Sequence, residues 1–276
     1  MKLSFSTLVC PTWTFQQIVD GAVRHGICGI DFRGIASEID ITQLPQFKTD
    51  IFQTLHVLGA HNLRLPCLNL SCTLVTPDDA RWTTFLDETH RYAQLAAQTR
   101  TKYLRVFGGA VPKDFSRTQA ADLAVRHLRQ LIKIAQPHGA MILLETHDHW
   151  CTSDQVLELV GSFTADEVGV LWDIEHPWRA GENPLHTAQQ LQRFIRHVHL
   201  KDSRIIDGRN VPTLLGDGEL PIRECLAALR SIEYAGWYSL ETEKRWRAEA
   251  PEPEMSLAQF AEFMKNAMSV SQHVSA

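Results

Sequence analysis

Eight short apolar or β-branched runs, each followed by a longer amphipathic segment, fill the 276 residues. The strand-like runs are Leu3–Leu8, Gly29–Phe32, Leu63–Leu70, Tyr103–Phe107, Met141–Glu145, Val168–Asp173, His197–Leu200 and Trp237–Glu241. Helical spacing of apolar residues, as in Leu123, Leu128, Leu131, Ile132 and Ala135, predicts helices near 13–25, 42–61, 80–99, 116–138, 152–162, 183–196, 221–234 and 256–268. Thr152-Ser153-Asp154 offers helix N-caps, and Gly26, Gly59 and Gly139 stand where helices should stop. Eight strand–helix units are the count of a (β/α)8 barrel, although a doubly wound sheet also alternates. The expected fold is α/β, a single (β/α)8 TIM barrel over residues 1–268. No linker or low-complexity tract divides it, and the tail 269–276, from about Ser269, is expected to fray.

Charge and composition narrow the function. With 27 Lys+Arg against 32 Asp+Glu the net charge is −5, which argues against general affinity for nucleic acid or anionic membranes. No apolar run approaches the roughly 18 residues a bilayer span needs. The N-terminus goes straight into the strand pattern that begins at Leu3, without a signal peptide, so a cytoplasmic location is expected. Cys10, Cys28, Cys67, Cys72, Cys151 and Cys225 follow no disulfide or zinc-finger rhythm and read as reduced thiols.

In a barrel the chemistry sits where strands exit at their C-terminal ends. The fifth strand exits as Glu145-Thr-His147-Asp148 and the sixth as Asp173-Ile-Glu175-His176. The seventh exits as His199-Leu-Lys201-Asp202-Ser203-Arg204, and the eighth as Glu241-Thr-Glu243-Lys244-Arg245. An ionised group at the end of a buried strand is costly unless paired. Taken singly, each of Glu145, Asp173, His199 and Glu241 is an ordinary cap or packing residue. Four converging from successive strands, three of them anionic, would repel one another without a counter-ion, and a divalent metal removes the conflict. Three oxygen donors with one imidazole suit Mn²⁺, Mg²⁺, Co²⁺ or Zn²⁺ with open positions, with Mn²⁺ favoured, whereas closed structural zinc wants Cys and His.

The chain resembles the xylose-isomerase-like barrel superfamily of sugar phosphate isomerases/epimerases. The matching pieces are Leu-Glu145-Thr, Trp-Asp173-x-x-His176, His199-Leu-Lys-Asp-Ser, Leu215-Gly-Asp-Gly-Glu219 and Leu-Glu241-x-Glu-Lys-Arg-Trp246. The superfamily includes ketose 3-epimerases, hydroxypyruvate isomerases, inosose and dehydroshikimate dehydratases, and apurinic endonucleases. The resemblance implies Glu145, Asp173, His199 and Glu241 as metal ligands, and His176 as a substrate-contacting or outer histidine. It implies Arg204 as a substrate-binding arginine, with Lys201 as a further substrate-binding candidate and Arg209 close in sequence.

A chelated ketose would have its carbonyl polarised. Glu145 and Glu241, well apart around the ring, would then remove and return the proton beside that carbonyl. The expected activity is therefore metal-dependent isomerisation or epimerisation of a small ketose or related hydroxy-ketone. The alternative is dehydration of an inosose- or dehydroshikimate-like ring, because the same enolate expels a β-hydroxyl. A non-catalytic sugar-binding barrel would have little reason to keep four such strand ends. Apurinic endonucleases carry further histidines at the early strand exits and an Asp-x-His after the seventh; here those stretches read Leu65-Pro-Cys67-Leu-Asn69 and Ile205-Ile-Asp207-Gly-Arg. The expected partner is a small sugar or polyol-ketone, with neither nucleic acid nor membrane; pairing into a homo-oligomer is a family-level expectation.

Three further features carry two readings each. Gly108-Gly109 after the fourth strand is either a close approach to ligand or a tight turn. Cys10, Trp13, Phe32-Arg33, Trp150, Trp178 and Trp246 read as pocket wall or as core. Lys244, Arg245 and Arg247 read as a phosphate- or carboxylate-binding group near the eighth strand or, lying among Glu241, Glu243 and Glu249, as an exposed ion-pair network.

Overall fold

Backbone hydrogen bonding in a computed structural model of the chain, which describes residues 1–269, joins eight parallel strands edge to edge. These are β1 (Lys2–Ser6), β2 (Gly29–Asp31), β3 (Cys67–Thr73), β4 (Tyr103–Phe107), β5 (Met141–Glu145), β6 (Val168–Asp173), β7 (Ile195–Leu200) and, after a hairpin, β10 (Trp237–Leu240). The order is β2-β1-β10-β7-β6-β5-β4-β3, and single bridges Gly29↔Arg64 and Phe32↔Leu68 close the ring between β2 and β3. Outside lie α1 (Phe15–Arg24), α2 (Ile51–Ala60), α3 (Asp79–Thr99), α4 (Arg117–Ala135), α5 (Ser153–Val160), α6 (Glu175–Arg179), α7 (Pro184–Leu191), α8 (Ile222–Ser231) and α9 (Pro253–Ser269). The expected (β/α)8 barrel is therefore the fold.

Local chemistry fixes the helix starts. Thr14 with Gln17, Ser116 with Gln119, and Thr152 with Gln155 each form a reciprocal capping box at α1, α4 and α5. Three departures from the sequence reading have a local cause. The third strand begins at Cys67 rather than Leu63, because Pro66 has no N–H to give the ladder. The helix expected over 42–61 breaks into 3₁₀ turns at Ile41–Gln43 and Pro45–Phe47 before α2, since Pro45 holds Leu44 extended at φ −75°, ψ 140°. An unforeseen antiparallel hairpin, β8 (Asp202–Ile206) with β9 (Arg209–Thr213), follows β7. It turns at Asp207-Gly208, both with positive φ (49° and 72°), the two-residue pattern that matches strand twist. Of the tail expected to fray, Ser269 closes α9 and residues 270–276 lie outside the described residues.

The main core fills the space between barrel and helices, whereas the barrel's own interior is divided. Cys67, Leu143 and Leu171 form a small apolar plug, with Tyr103 and Met141 packed on it. Buried polar side chains also cross the barrel: Ser4 Oγ donates to Asp31 at 3.3 Å, His197 Nε2 lies 2.8 Å from Asp31 Oδ2, and Arg105 Nε donates to Asn69 at 3.3 Å. All six cysteines are free. Among the described residues no helix is long and apolar enough to cross a membrane.

Gly29 shows how tightly the strand entries pack. A Cβ there would meet Trp237 at 2.6 Å, Pro66 at 2.8 Å and the Ser4 Cβ at 2.9 Å. Gly29→Ala is therefore expected to cost about 1–3 kcal/mol by overpacking, read as a lower urea midpoint at unchanged slope.

Candidate metal centre

β10, β7, β6 and β5 are neighbours in the ring, and their registers bring their C-terminal ends level. His199 stands beside Asp173 on one side and Ser239 on the other. Glu145, Asp173, His199 and Glu241 each offer a donor atom, all within 4.8 Å of one another. All four side chains are buried, none more than 3% exposed. His199 Nδ1 lies 2.9 Å from Glu241 Oε2 and 3.8 Å from Glu145 Oε1.

The donors fit a divalent cation on their own chemistry. Both ring nitrogens of His199, Oδ2 of Asp173 and Oε2 of Glu145 are buried without a well-formed hydrogen bond. Buried polar groups are rarely left so, and an ion is one of the standard resolutions. Two cations already flank the cluster. Lys201 Nζ sits 2.8 Å from both Asp173 Oδ2 and Glu243 Oε1, and Arg105 Nε lies 3.1 Å from Glu145 Oε2.

Those neighbours set the protonation of the metal-free cluster. Burial, helped by Glu145 and Glu241, pushes Asp173 up to about 7 against the pull of Lys201. Burial acts the same way on Glu145, but Arg105 and His199 override it and hold that carboxyl well below the usual range. Burial would lower His199; Glu241 and Glu145 instead raise it to about 10. A cation taking these donors must therefore displace a proton from His199 and, below about pH 7, from Asp173 as well. Metal affinity is expected to rise about tenfold per pH unit between pH 7 and 9 and more steeply below pH 7. Isothermal titration in buffers of different ionisation enthalpy reads the protons released; a pH-independent affinity would contradict this protonation scheme.

The other sequence candidates fall in different places. His176, on α6, comes within 3.7 Å of Asp173 Oδ2, and its ring meets His147 edge-on at 4.2 Å. Burial and the nearby Lys201 and His147 charges lower its pKa to about 4, so it stands neutral. Lys201 is turned inward, its ammonium spent among Asp173, Glu243, Glu241 and Glu175. Arg204 is not brought to the cluster: it is exposed on β8, opposite Val211 of the hairpin. Its neighbour Asp202 anchors that hairpin, accepting from the Gly216, Gly218 and Leu220 N–H groups at 2.8–3.1 Å. The Leu215-Gly-Asp-Gly-Glu219 motif is thus tied to the foot of β8.

Sequence reasoning passed over Arg105, Asp31, His197, Glu175 and the inward face of Glu243. Arg105 carried a signal: a charged residue inside the apolar run Tyr103–Phe107 is tolerated when buried only if paired. Gly108 makes a close approach, but to core: a Cβ there would meet the Trp150 ring at 2.3 Å. Trp150 is fully buried, and Arg117 packs over its ring.

Comparison with known proteins adds three kinds of likeness. The profile of the family described as xylose isomerase-like TIM barrel matches residues 19–267. The 3-dehydroshikimate dehydratase of Bacillus anthracis is 26% identical over 204 residues, covering 65% of this chain and 72% of that protein. Other curated relatives are matched over about half their length. Among solved structures, a D-tagatose 3-epimerase-like protein superposes with a TM-score of 0.80 at 18% identity over 100% of both chains. The IOLI protein, solved with a zinc atom, superposes with a TM-score of 0.79 at 19% identity over 95% of this chain and 96% of that one.

Proposed function

We propose, for a chain that belongs to the xylose isomerase-like TIM barrel family, divalent-metal-dependent isomerase or epimerase chemistry on a small polyhydroxylated ketone. The observation that carries this reading is the pair of buried glutamates, one closing β5 and one immediately after β10, that lie 3.8 and 2.9 Å from His199. Glu145, Asp173, His199 and Glu241 would hold the cation; when bound it supplies Lewis-acid polarisation of the substrate carbonyl. Mn²⁺ is proposed from the oxygen-rich donor set, and the zinc atom of the IOLI structure supports a divalent ion.

Glu145, kept ionised by Arg105, is the group ready to accept the proton beside the carbonyl. Glu241, between His199 and Lys201, is placed to return one from its own side. His176, neutral and a quarter exposed, presents a ring N–H toward developing oxyanion charge. Lys201 offsets carboxylate charge from within. Its ammonium orients Asp173 and Glu243 rather than reaching for substrate.

A second reading, dehydration, has its own support. The His147–His176 pair supplies a proton carrier beside the carboxylates, as departure of a β-hydroxyl requires, and the Bacillus anthracis relative is a dehydratase. Purified protein loaded with Mn²⁺ and incubated in D₂O with a panel of ketoses and cyclic polyol-ketones separates the two. Deuterium beside the carbonyl in an isomerised product, lost on chelation, supports isomerase or epimerase action. A conjugated enone detected by its ultraviolet absorbance transfers the assignment to a dehydratase. Metal-loaded protein that exchanges nothing across the panel would favour a binding barrel.

A further inference from the structure

We propose that the opposite, N-terminal end of the barrel binds a small, multiply charged phosphorylated molecule in a cationic cavity that is separate from the metal centre. The cavity, about 530 Å³, is lined by Lys2, Arg64, Arg100, Lys102 and Arg196, with Glu233 its one acidic residue. Each cation stands at or near a strand entry: Lys2 opens β1, Arg64 precedes β3, Arg100 and Lys102 precede β4, and Arg196 is the second residue of β7. In a chain of net charge −5 this is a concentration of positive charge against the overall balance. Catalysis does not ask for it, since barrel chemistry belongs to the other face.

The charges are not neutralised from within the protein. Lys2 donates to the Ala235 carbonyl at 3.3 Å, and Arg196 to the Ile195 and Ala165 carbonyls at 3.1 and 2.8 Å, all uncharged acceptors. Among the described residues no hydrogen bond or ion pair engages the side chains of Arg64, Arg100 or Lys102. Backbone strain points the same way. Arg100 caps α3 with φ +57°, ψ 31°, a left-handed position that Gly or Asn fills at lower cost. Strain held at one residue is a pointer to function, and here it carries a guanidinium to the rim of the cavity.

Several arginines around one concavity suit phosphate, whose oxygens accept paired guanidinium N–H bonds. Tyr103, Tyr234 and Trp237 add aromatic wall, and the volume falls in the range of small-molecule sites. A concave, five-cation mouth favours a compact polyanion over an extended one. Free pyrophosphate and a nucleoside diphosphate share that chemistry, and the two are told apart by whether the aromatic wall adds affinity.

The test is isothermal titration of the metal-loaded protein with inorganic pyrophosphate and, separately, ADP. A triple variant, Arg64→Ala, Arg100→Gly and Lys102→Ala, removes the unpaired charges. All three positions are exposed, and glycine relieves the left-handed strain at position 100, so the melting temperature should be unchanged or higher. Wild-type binding that weakens by more than about tenfold in the variant, the least expected from losing charge-assisted hydrogen bonds, supports the site. Tighter ADP than pyrophosphate binding identifies a nucleotide; equal binding identifies the phosphate groups alone. No wild-type binding at millimolar pyrophosphate or ADP overturns the proposal, as does binding the variant retains within twofold. Binding of duplex DNA tighter than of either probe would also overturn it. Deuterium exchange with ketoses, measured alongside, keeps this test distinct from that of the metal centre.

Discussion

Glu145→Gln and Glu241→Gln are each expected to lower turnover by about 10²–10⁴-fold at saturating metal, the range for loss of a positioned general acid or base. Both substitutions keep side-chain volume and one donor oxygen, so what is lost is the proton-accepting carboxylate. The two are not equivalent in stability. Glu145 is 1% exposed and paired with Arg105, itself 1% exposed, so its amide leaves a buried guanidinium without an acid. That is expected to cost metal-free Glu145→Gln about 3–5 kcal/mol. Glu241 faces His199 at 2.9 Å and Lys201 at 3.8 Å, and Lys201 keeps Asp173 and Glu243 as partners. Its variant should melt closer to wild type. Denaturant midpoints measured with the rates separate the effects; activity retained in both variants removes the proposed acid/base pair.

His199→Ala is expected to reduce metal affinity by more than the 10–100-fold that loss of an outer partner costs, roughly the floor for losing a direct ligand. Metal content after gel filtration reads this, and full occupancy would remove His199 from the donor set. The same variant has a pH signature without metal. Glu241 and Glu145 raise the His199 pKa to about 10, above its unfolded value near 6.5, so protonated His199 stabilises the fold. That contribution is fully present below pH 6.5 and lost as pH rises through about 10. Metal-free wild type should exceed the variant in stability most at pH 6, with the gap closing toward pH 10. A gap that widened with pH would mean that the imidazole is buried neutral.

What was legible beforehand follows how local the determining physics is. Tyr103–Phe107, Met141–Glu145 and Val168–Asp173 were readable to the residue, because a continuous apolar run bounded by polar residues has one way to enter a parallel sheet. The four metal-donor candidates were readable from a fold rule that sends strand exits to one rim. Where Arg204 lies was not legible, because which way a loop residue faces depends on pairing. Asp207-Gly208 folds that segment back as a hairpin, and Arg204 falls on its exposed side. The role of Arg105 was hidden for a related reason: its partner Glu145 is forty residues away, and only the β4–β5 pairing makes them neighbours. The cationic cavity was invisible in composition, since its charges are spread from Lys2 to Arg196 and only ring closure gathers them.

The ring is fastened unevenly. Seven strand pairs are joined by ladders, those of β3–β4 and β6–β7 with one local register shift each, whereas β2 and β3 meet through the single bridges Gly29↔Arg64 and Phe32↔Leu68. Across that seam the Asp31 carboxylate accepts from the Cys67 N–H at 3.1 Å while its other oxygen lies 2.8 Å from His197. One side chain thus staples the weakest joint and braces the strand that carries His199. Native-state hydrogen exchange should find the amides of residues 29–31 and 64–68 opening before those of β5–β7, as the least cooperative stretch of the barrel. A cation gripping His199 would hold the same seam shut from the far side, so those amides should slow when Mn²⁺ is added.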